Sequence, residues 1–310
     1  GNNPVSYSSQ NEYPFIISGT ELSHDINLGI NLVGSPLEPY SPLFEDNFCP
    51  NYGSDGICLS FNQNGDLALG QDIEIGQGYY FVNLSDENIV ISGDLYSDYN
   101  IILNQGWNLI SNPLVANIEI DSLNVIYSGV SYSWQDALDE GSLLSPFVIG
   151  YENSESIHAI ENTIEPFKGY WIHSHADSVS LFFDPHIIAQ SSGSENYLDM
   201  YDWKMKVKAS EKNPSNPAFS IGDYVVIGFN DDANESFLYG EDVYDVPAVL
   251  NYRYTNLYIN HSFDWFASNL IDDNGVYIES PRFMTDIRTP MSVDDFKQWD
   301  INGELLGPIN

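Results

Sequence analysis

The tightest cluster of nitrogen ligands in this 310-residue sequence is His173-Ser174-His175-Ala176-Asp177. The His-x-His-x-Asp order occurs in binuclear zinc hydrolases, and alternate residues of a strand share one face, so these three side chains are placed to meet one ion. Ser178 stands where that pattern needs a further His, and His186 and His261 offer no clear second set of ligands. In an internal copy described below, the aligned residues are Val82, Leu84 and Asp86, so the strand exists without a metal. No catalytic role is expected here. Oxygen ligands are more plentiful. Asp231, Asp232, Asn234, Glu235, Glu241, Asp242 and Asp245 fall in a turn-prone stretch with the composition of an irregular Ca²⁺ site, without the spaced Asp-x-Asp-x-Asp-Gly of an EF-hand. A solvated connection explains the same stretch. Asp55, Asn62, Asn64 and Asp66 form a weaker candidate. Cys49 and Cys58 close a Gly/Asn/Asp/Pro-rich loop that holds no His, which favours a local disulfide, and an oxidising compartment, over zinc.

Nucleophile and phosphate motifs are missing: there is no Gly-x-Ser-x-Gly, no His-Glu-x-x-His and no phosphate-binding Gly loop. Carboxylate pairs abound, but 45 acids make any one pairing uninformative for glycoside hydrolysis. The chain is therefore read as non-enzymatic. Charge narrows the partners further. The 45 Asp and Glu face 9 Lys and Arg, and the first of those is Lys168. Such a surface lacks the cations that displace counterions from nucleic acid or anionic lipid, so both are excluded. The carboxylates before Lys168 are solvated and screened by salt, or held by Ca²⁺. No apolar run of about 20 residues occurs, so no membrane insertion is expected.

Aromatic side chains are the other candidates for binding. Tyr170 and Trp171 align with Tyr79 and Tyr80, and neighbours on a strand face opposite ways. One of each pair is expected to enter the core and the other to point out, where a ring can stack on a sugar. A shared place in both copies is also what core architecture alone would produce. Tyr132 and Trp134 lie in sequence that only the second copy holds, the place we single out for new function.

The elements that carry these residues come from a duplication. Ile26-Asn27-Leu28-Gly29-Ile30-Asn31-Leu32-Val33-Gly34-Ser35-Pro36-Leu37 returns as Leu103-Asn104-Gln105-Gly106-Trp107-Asn108-Leu109-Ile110-Ser111-Asn112-Pro113-Leu114. A second phrase, Ile73-Glu74-Ile75-Gly76-Gln77-Gly78-Tyr79-Tyr80-Phe81, returns as Ile164-Glu165-Pro166-Phe167-Lys168-Gly169-Tyr170-Trp171-Ile172. Gly29 aligns with Gly106 at an offset of 77 and Gly78 with Gly169 at 91, so the second copy holds 14 more residues. Trp134-Gln135-Asp136-Ala137-Leu138 in that extra sequence predicts a short helix ended by Gly141. Ile30 stands where the other copy has Trp107, so that position wants a hydrophobe. Short strands between turn residues predict an all-β chain: a lead-in over 1–21, two small β-sandwich or barrel-like modules over 22–98 and 99–188, a linker over 189–196 and an incomplete β-sandwich domain over 197–310. One opening strand is expected over Ile26 to Val33, and in the last region Trp203 to Ala209 and Tyr224 to Phe229 read as strands.

Leu103-x-x-Gly-Trp-Asn-Leu-Ile-Ser-x-Pro-Leu114, followed by Pro166-Phe-Lys-Gly-Tyr-Trp-Ile172, resembles a repeated module of large secreted bacterial surface proteins, many of them exported by the type IX system. Asp223-Tyr-Val-Val-Ile-Gly-Phe229, Tyr239-Gly-Glu-Asp-Val-Tyr-Asp245-Val-Pro247, Phe283-Met-Thr-Asp-Ile-Arg288 and Trp299 resemble the usual neighbour of that module. The resemblance implies non-catalytic parts of adhesins, or of secreted proteases and polysaccharidases, and a sorting domain beyond Asn310. The expectation is a secreted or cell-surface protein for adhesion or assembly, with polysaccharide, another surface protein or calcium as its ligand. The alternative is the accessory region of a secreted hydrolase.

Overall fold

A computed structural model describes residues 19–49, 58–96, 98–139, 142–153 and 157–184, then strands within 203–305. The chain is all-β. The first copy supplies β1 (Thr20–Ile26), β2 (Gly29–Val33), β3 (Glu38–Pro39), helix α1 (Phe44–Phe48), β4 (Leu59–Phe61), β5 (Tyr79–Asn83) and β6 (Glu87–Asp94). The second supplies β7 (Tyr99–Leu103), β8 (Gly106–Ser111), β9 (Ile118–Glu119), β10 (Asn124–Tyr127), β11 (Val130–Ser133), helix α2 (Trp134–Asp139), β12 (Val148–Glu152), β13 (Ile157–Glu161), β14 (Thr163–Ile164), β15 (Gly169–Ser174) and β16 (Val179–Phe183). Pairing is nested and antiparallel in each copy. β1 pairs with β6 and β2 with β5, as β7 pairs with β16 and β8 with β15. The resulting sheets run β1-β6-β3 and β2-β5-β4 in the first copy, β11-β10-β16-β7 and β13-β12-β15-β8 in the second. Further on, β17 (Trp203–Lys212) lies between β18 (Asp223–Phe229) and β21 (Gln298–Leu305), and β19 (Thr255–Asn256) pairs with β20 (Met284–Thr285). The expected strands at 203–209 and 224–229 fall within β17 and β18.

The single opening strand expected over Ile26 to Val33 is two strands in different sheets. Gly29 (φ 106°) turns the chain from β1 into β2, and Gly106 (φ 97°) does the same between β7 and β8. A side chain is disfavoured at such a positive φ. The repeated Asn ties each corner: Asn31 Nδ2 donates to the carbonyls of Asn27 (2.9 Å) and Gly29 (3.1 Å), and Asn108 Nδ2 to those of Asn104 (2.8 Å) and Gly106 (2.9 Å). An Asp from the strand-end loop closes each one, with Leu28 N–H donating to Asp86 (2.7 Å) and Gln105 N–H to Asp177 (2.8 Å). The other repeated residues recur in the same roles. Leu37 N–H reaches Ser35 Oγ at 3.3 Å, and Leu114 N–H reaches Asn112 Oδ1 at 2.9 Å. The Tyr79 and Tyr170 phenols fold back to accept the amides of Glu74 and Glu165, both at 2.9 Å.

Each copy holds one short α-helix that buries aromatic rings. The extra sequence of the second copy forms α2 as expected, capped by Ser133, whose Oγ accepts the Asp136 amide at 3.1 Å. It buries Trp134 and Ala137. The first copy's helix, α1, was not expected from the sequence and buries Phe44 and Phe48 one turn apart, their rings stacked at 4.7 Å.

Candidate functional site

The two copies meet through their repeated phrases, and the bonds are reciprocal. Gly34 N–H donates to Phe167 O (3.0 Å), while the aligned Ser111 N–H donates to the aligned Gly76 O (2.8 Å). Val33 bridges to Lys168 and Ile110 to Gln77, again an aligned pair of contacts. Gly78 and Gly169 let the backbones close in: a Cβ on Gly78 would lie 2.7 Å from Ile110 O, and one on Gly169 3.2 Å from Val33 N and O. At Gly34 the approach is closest, since a Cβ there would lie 2.0 Å from Ser111 Cβ.

Packing follows the same exchange. Tyr79 and Phe81 face the first copy's own core, whereas Tyr80, Val82, Ile30 and Leu32 join a core made mainly by the second copy. The β2-β5-β4 sheet is therefore covered on both faces, which explains its nearly unbroken apolar run. In return the second copy lends Phe167 to the first copy's core, where the ring stacks on His24 at 5.0 Å. Phe167 holds φ 66°, a strained value for a bulky residue; the aligned residue is Gly76 at φ 79°. Burying the ring offsets a backbone cost of about 1–3 kcal/mol.

At the centre, aligned residues touch each other. Trp171 Nε1–H donates to Tyr80 Oη at 3.0 Å, and Tyr80 Oη lies 3.0 Å from His158 Nε2. His158 packs edge-on to Tyr80 and Tyr151, and burial pushes its pKa down to about 4. A neutral imidazole with its proton on Nδ1 accepts the Tyr80 O–H at Nε2, and one with its proton on Nε2 donates to the same phenol oxygen, so either tautomer closes the contact. Beside this junction lies a groove of about 390 Å³ lined by His24, Asp25, Asn27, Glu152, Asn153 and Lys168 among others. Asn153 Nδ2 donates to Ile30 O and to Asn31 Oδ1, pinning the β12 end to β2. Lys168 Nζ pairs with Glu165 at 2.9 Å. Burial first, then the nearby Lys168 charge, lowers the pKa of His24.

The structure disperses the residues singled out from the sequence. Tyr170 and Trp171 are 2% and 1% exposed, so the expectation that one of each aromatic pair points outward is corrected: Tyr79 serves the first copy's core and Tyr80 the shared one, while Tyr170 and Trp171 both lie in the shared core. Trp134 is buried in the core beneath α2, and Tyr132 is half-buried against the same cluster. Trp134, Tyr170 and Trp171 offer no open face to a sugar. Cys49 and Cys58 form the disulfide. Asn62 Oδ1 accepts the amides of Asn64 (2.9 Å) and Asp66 (3.0 Å), the work of a tight turn. The calcium candidates Asp231, Asp232, Asn234, Glu235, Glu241, Asp242 and Asp245 lie outside the described residues, as does Asp55. His173 is buried with its pKa pushed down to about 4 by burial and by His175, and Asp177 is held at the corner amide. Among the described residues, no three His, Cys, Asp or Glu gather as a metal site, and no helix is long and apolar enough to cross a membrane.

The groove and the His158 chain are not legible in the sequence because their parts come from four distant stretches, 24–33, Tyr80, 151–158 and 167–171. Comparison with known protein families, curated proteins and solved structures found no match.

Proposed function

We propose that this chain is a non-enzymatic module of a secreted or cell-surface protein, serving adhesion or assembly, with a polysaccharide or another surface protein as partner. The observation that carries the reading is the reciprocal bonding of the repeated phrases. Of the chemistry-bearing residues they contain, Asn31, Asn108, Tyr79 and Tyr170 are taken up by bonds inside their own copies, and Tyr80 and Trp171 by the bond that joins the two. A load-bearing role is what a doubly tied junction suits. The disulfide supports an oxidising, extracellular setting, and the likeness of the phrases to type IX cargo modules agrees with it. The groove at the junction, with its amides, carboxylates and one cation, is where a glycan contact has room.

Glycan-array binding and a Ca²⁺-dependent melting shift, measured on the purified chain, test the reading. Binding without turnover is the expected result. Hydrolysis of a polysaccharide or protein by the chain, lost when His173, His175 and Asp177 are all replaced by Ala, would overturn it.

A further inference from the structure

We propose that the outward face of the β11-β10-β16-β7 sheet is a self-association surface that takes the same face of a second copy of this chain. The inference rests on the assembly reading above and names its partner. Strand register places two rows of side chains on this face: Asn100, Phe182, Asn124 and Ser133 in one, Ile102, Ser180, Ile126 and Ser131 in the other. None is charged. Ile102 is 70% exposed, and Phe182 and Ile126 are half-buried.

The first copy provides an internal control. Its corresponding face on β1-β6-β3 shows Glu21, Ser23, Asp25, Asn88, Val90, Ser92, Asp94 and Glu38. Four of these eight are carboxylates, so the architecture itself does not demand a neutral sheet. In a chain of net charge −36, a face without acids is where two molecules can meet without opposing carboxylates. Having no Lys or Arg either, it does not attract a polyanion. A sugar platform needs an open aromatic ring, and here the only ring, Phe182, is half-buried while the most exposed apolar side chain is a branched aliphatic. Interdigitating Ile and Phe from two sheets suits protein contact.

Strand spacing gives the face about 300 Å² per molecule, short of the roughly 800 Å² per partner of a stable complex. Asp98 and Asp184 sit at one end of it and Asp177 at the other. The association is therefore weak, rises with concentration and is strengthened by salt, which screens the acidic rim.

Sedimentation equilibrium of the full 310-residue chain at low and at high NaCl tests this. The expected result is a monomer–dimer equilibrium that shifts toward dimer with salt. Ile102→Glu, at an exposed position that leaves the fold intact by circular dichroism, should weaken it at least about tenfold, since it sets two carboxylates face to face. Val90→Glu, on the first copy's outward face, should leave it unchanged. A chain that stays monomeric at every concentration and salt overturns the proposal. So does a dimer insensitive to Ile102→Glu, or equally sensitive to Val90→Glu. Neutral-polysaccharide binding by the monomer, lost in Ile102→Glu, would overturn it by giving the face to a glycan. Failure here leaves the broader adhesion reading standing, because that reading falls only to turnover.

Discussion

Set side by side, the two copies keep the same corners and the same junction bonds, and diverge most on their outward faces. Corner bonds, folded-back tyrosines and junction amides recur at nearly equal lengths. Away from the junction, β3 is two residues ending in Pro39, which cannot donate to a further strand, while its counterpart β10 is continued by the β11 hairpin. A disulfide loop exists only in the first copy. The outward sheet of one is acidic and that of the other neutral. Constraint sits at the corners and the shared surface, and freedom to diverge sits on the outside.

Breaking the shared surface should therefore damage both copies at once. Trp171→Ala removes a fully buried ring and a donor to Tyr80, and should cost about 3–5 kcal/mol in urea unfolding. Hydrogen-exchange protection should fall in β2 and β5 as well as in β8 and β15; loss confined to the second copy would show the two to be energetically separate. Replacing Cys49 and Cys58 by Ser together should cost about 2–3 kcal/mol by releasing loop entropy to the unfolded chain. Here the extra exchange should stay near α1 and β4, since the second copy has no equivalent. Gly34→Ala should cost about 1–3 kcal/mol through its clash with Ser111, and adding Ser111→Gly should recover much of it in a double-mutant cycle. Additive costs would mean that the two positions do not share one space.

The smallest expected effect concerns pH. His158 has a folded pKa of about 4, below its unfolded value of about 6.5, so the unfolded chain binds a proton that the folded one refuses. Its contribution is present above pH 6.5 and is lost as pH falls toward 4. Thermal melts across that window should show His158→Gln losing less stability than the parent, by an amount on the order of 1 kcal/mol, since the ring is partly open to solvent. A parallel pair of curves would show that burial does not hold the His158 ring neutral.

Much of this architecture was legible in the sequence, for a physical reason. Gly29 and Gly106, Asn31 and Asn108, and Tyr79 and Tyr170 repeat in register because each makes a local bond whose geometry tolerates few side chains. What was illegible is non-local. The pairs Tyr79–Tyr80 and Tyr170–Trp171 were expected to split into one inward and one outward ring, because an apolar run tells that both faces of a strand are covered only once the covering sheet is known. α1 was hidden in a Pro-rich, acidic stretch, where Phe44 and Phe48 are too few to set a helical period. The aromatics proposed as a binding surface were misjudged for the same reason: composition does not tell a ring facing a partner sheet from a ring facing solvent.

The contact between Gly34 and Ser111 has one further consequence. These aligned residues sit across an approximate two-fold axis, and a Cβ at both would bring them within 2.0 Å. Two identical chains related by a true axis would both have to carry glycine there. Joining the copies in one polypeptide lifts that requirement from one half. Ser111 then keeps its side chain and uses it, donating to Gln77 O at 3.0 Å. Covalent linkage thus gives the pair a bond that strict symmetry forbids.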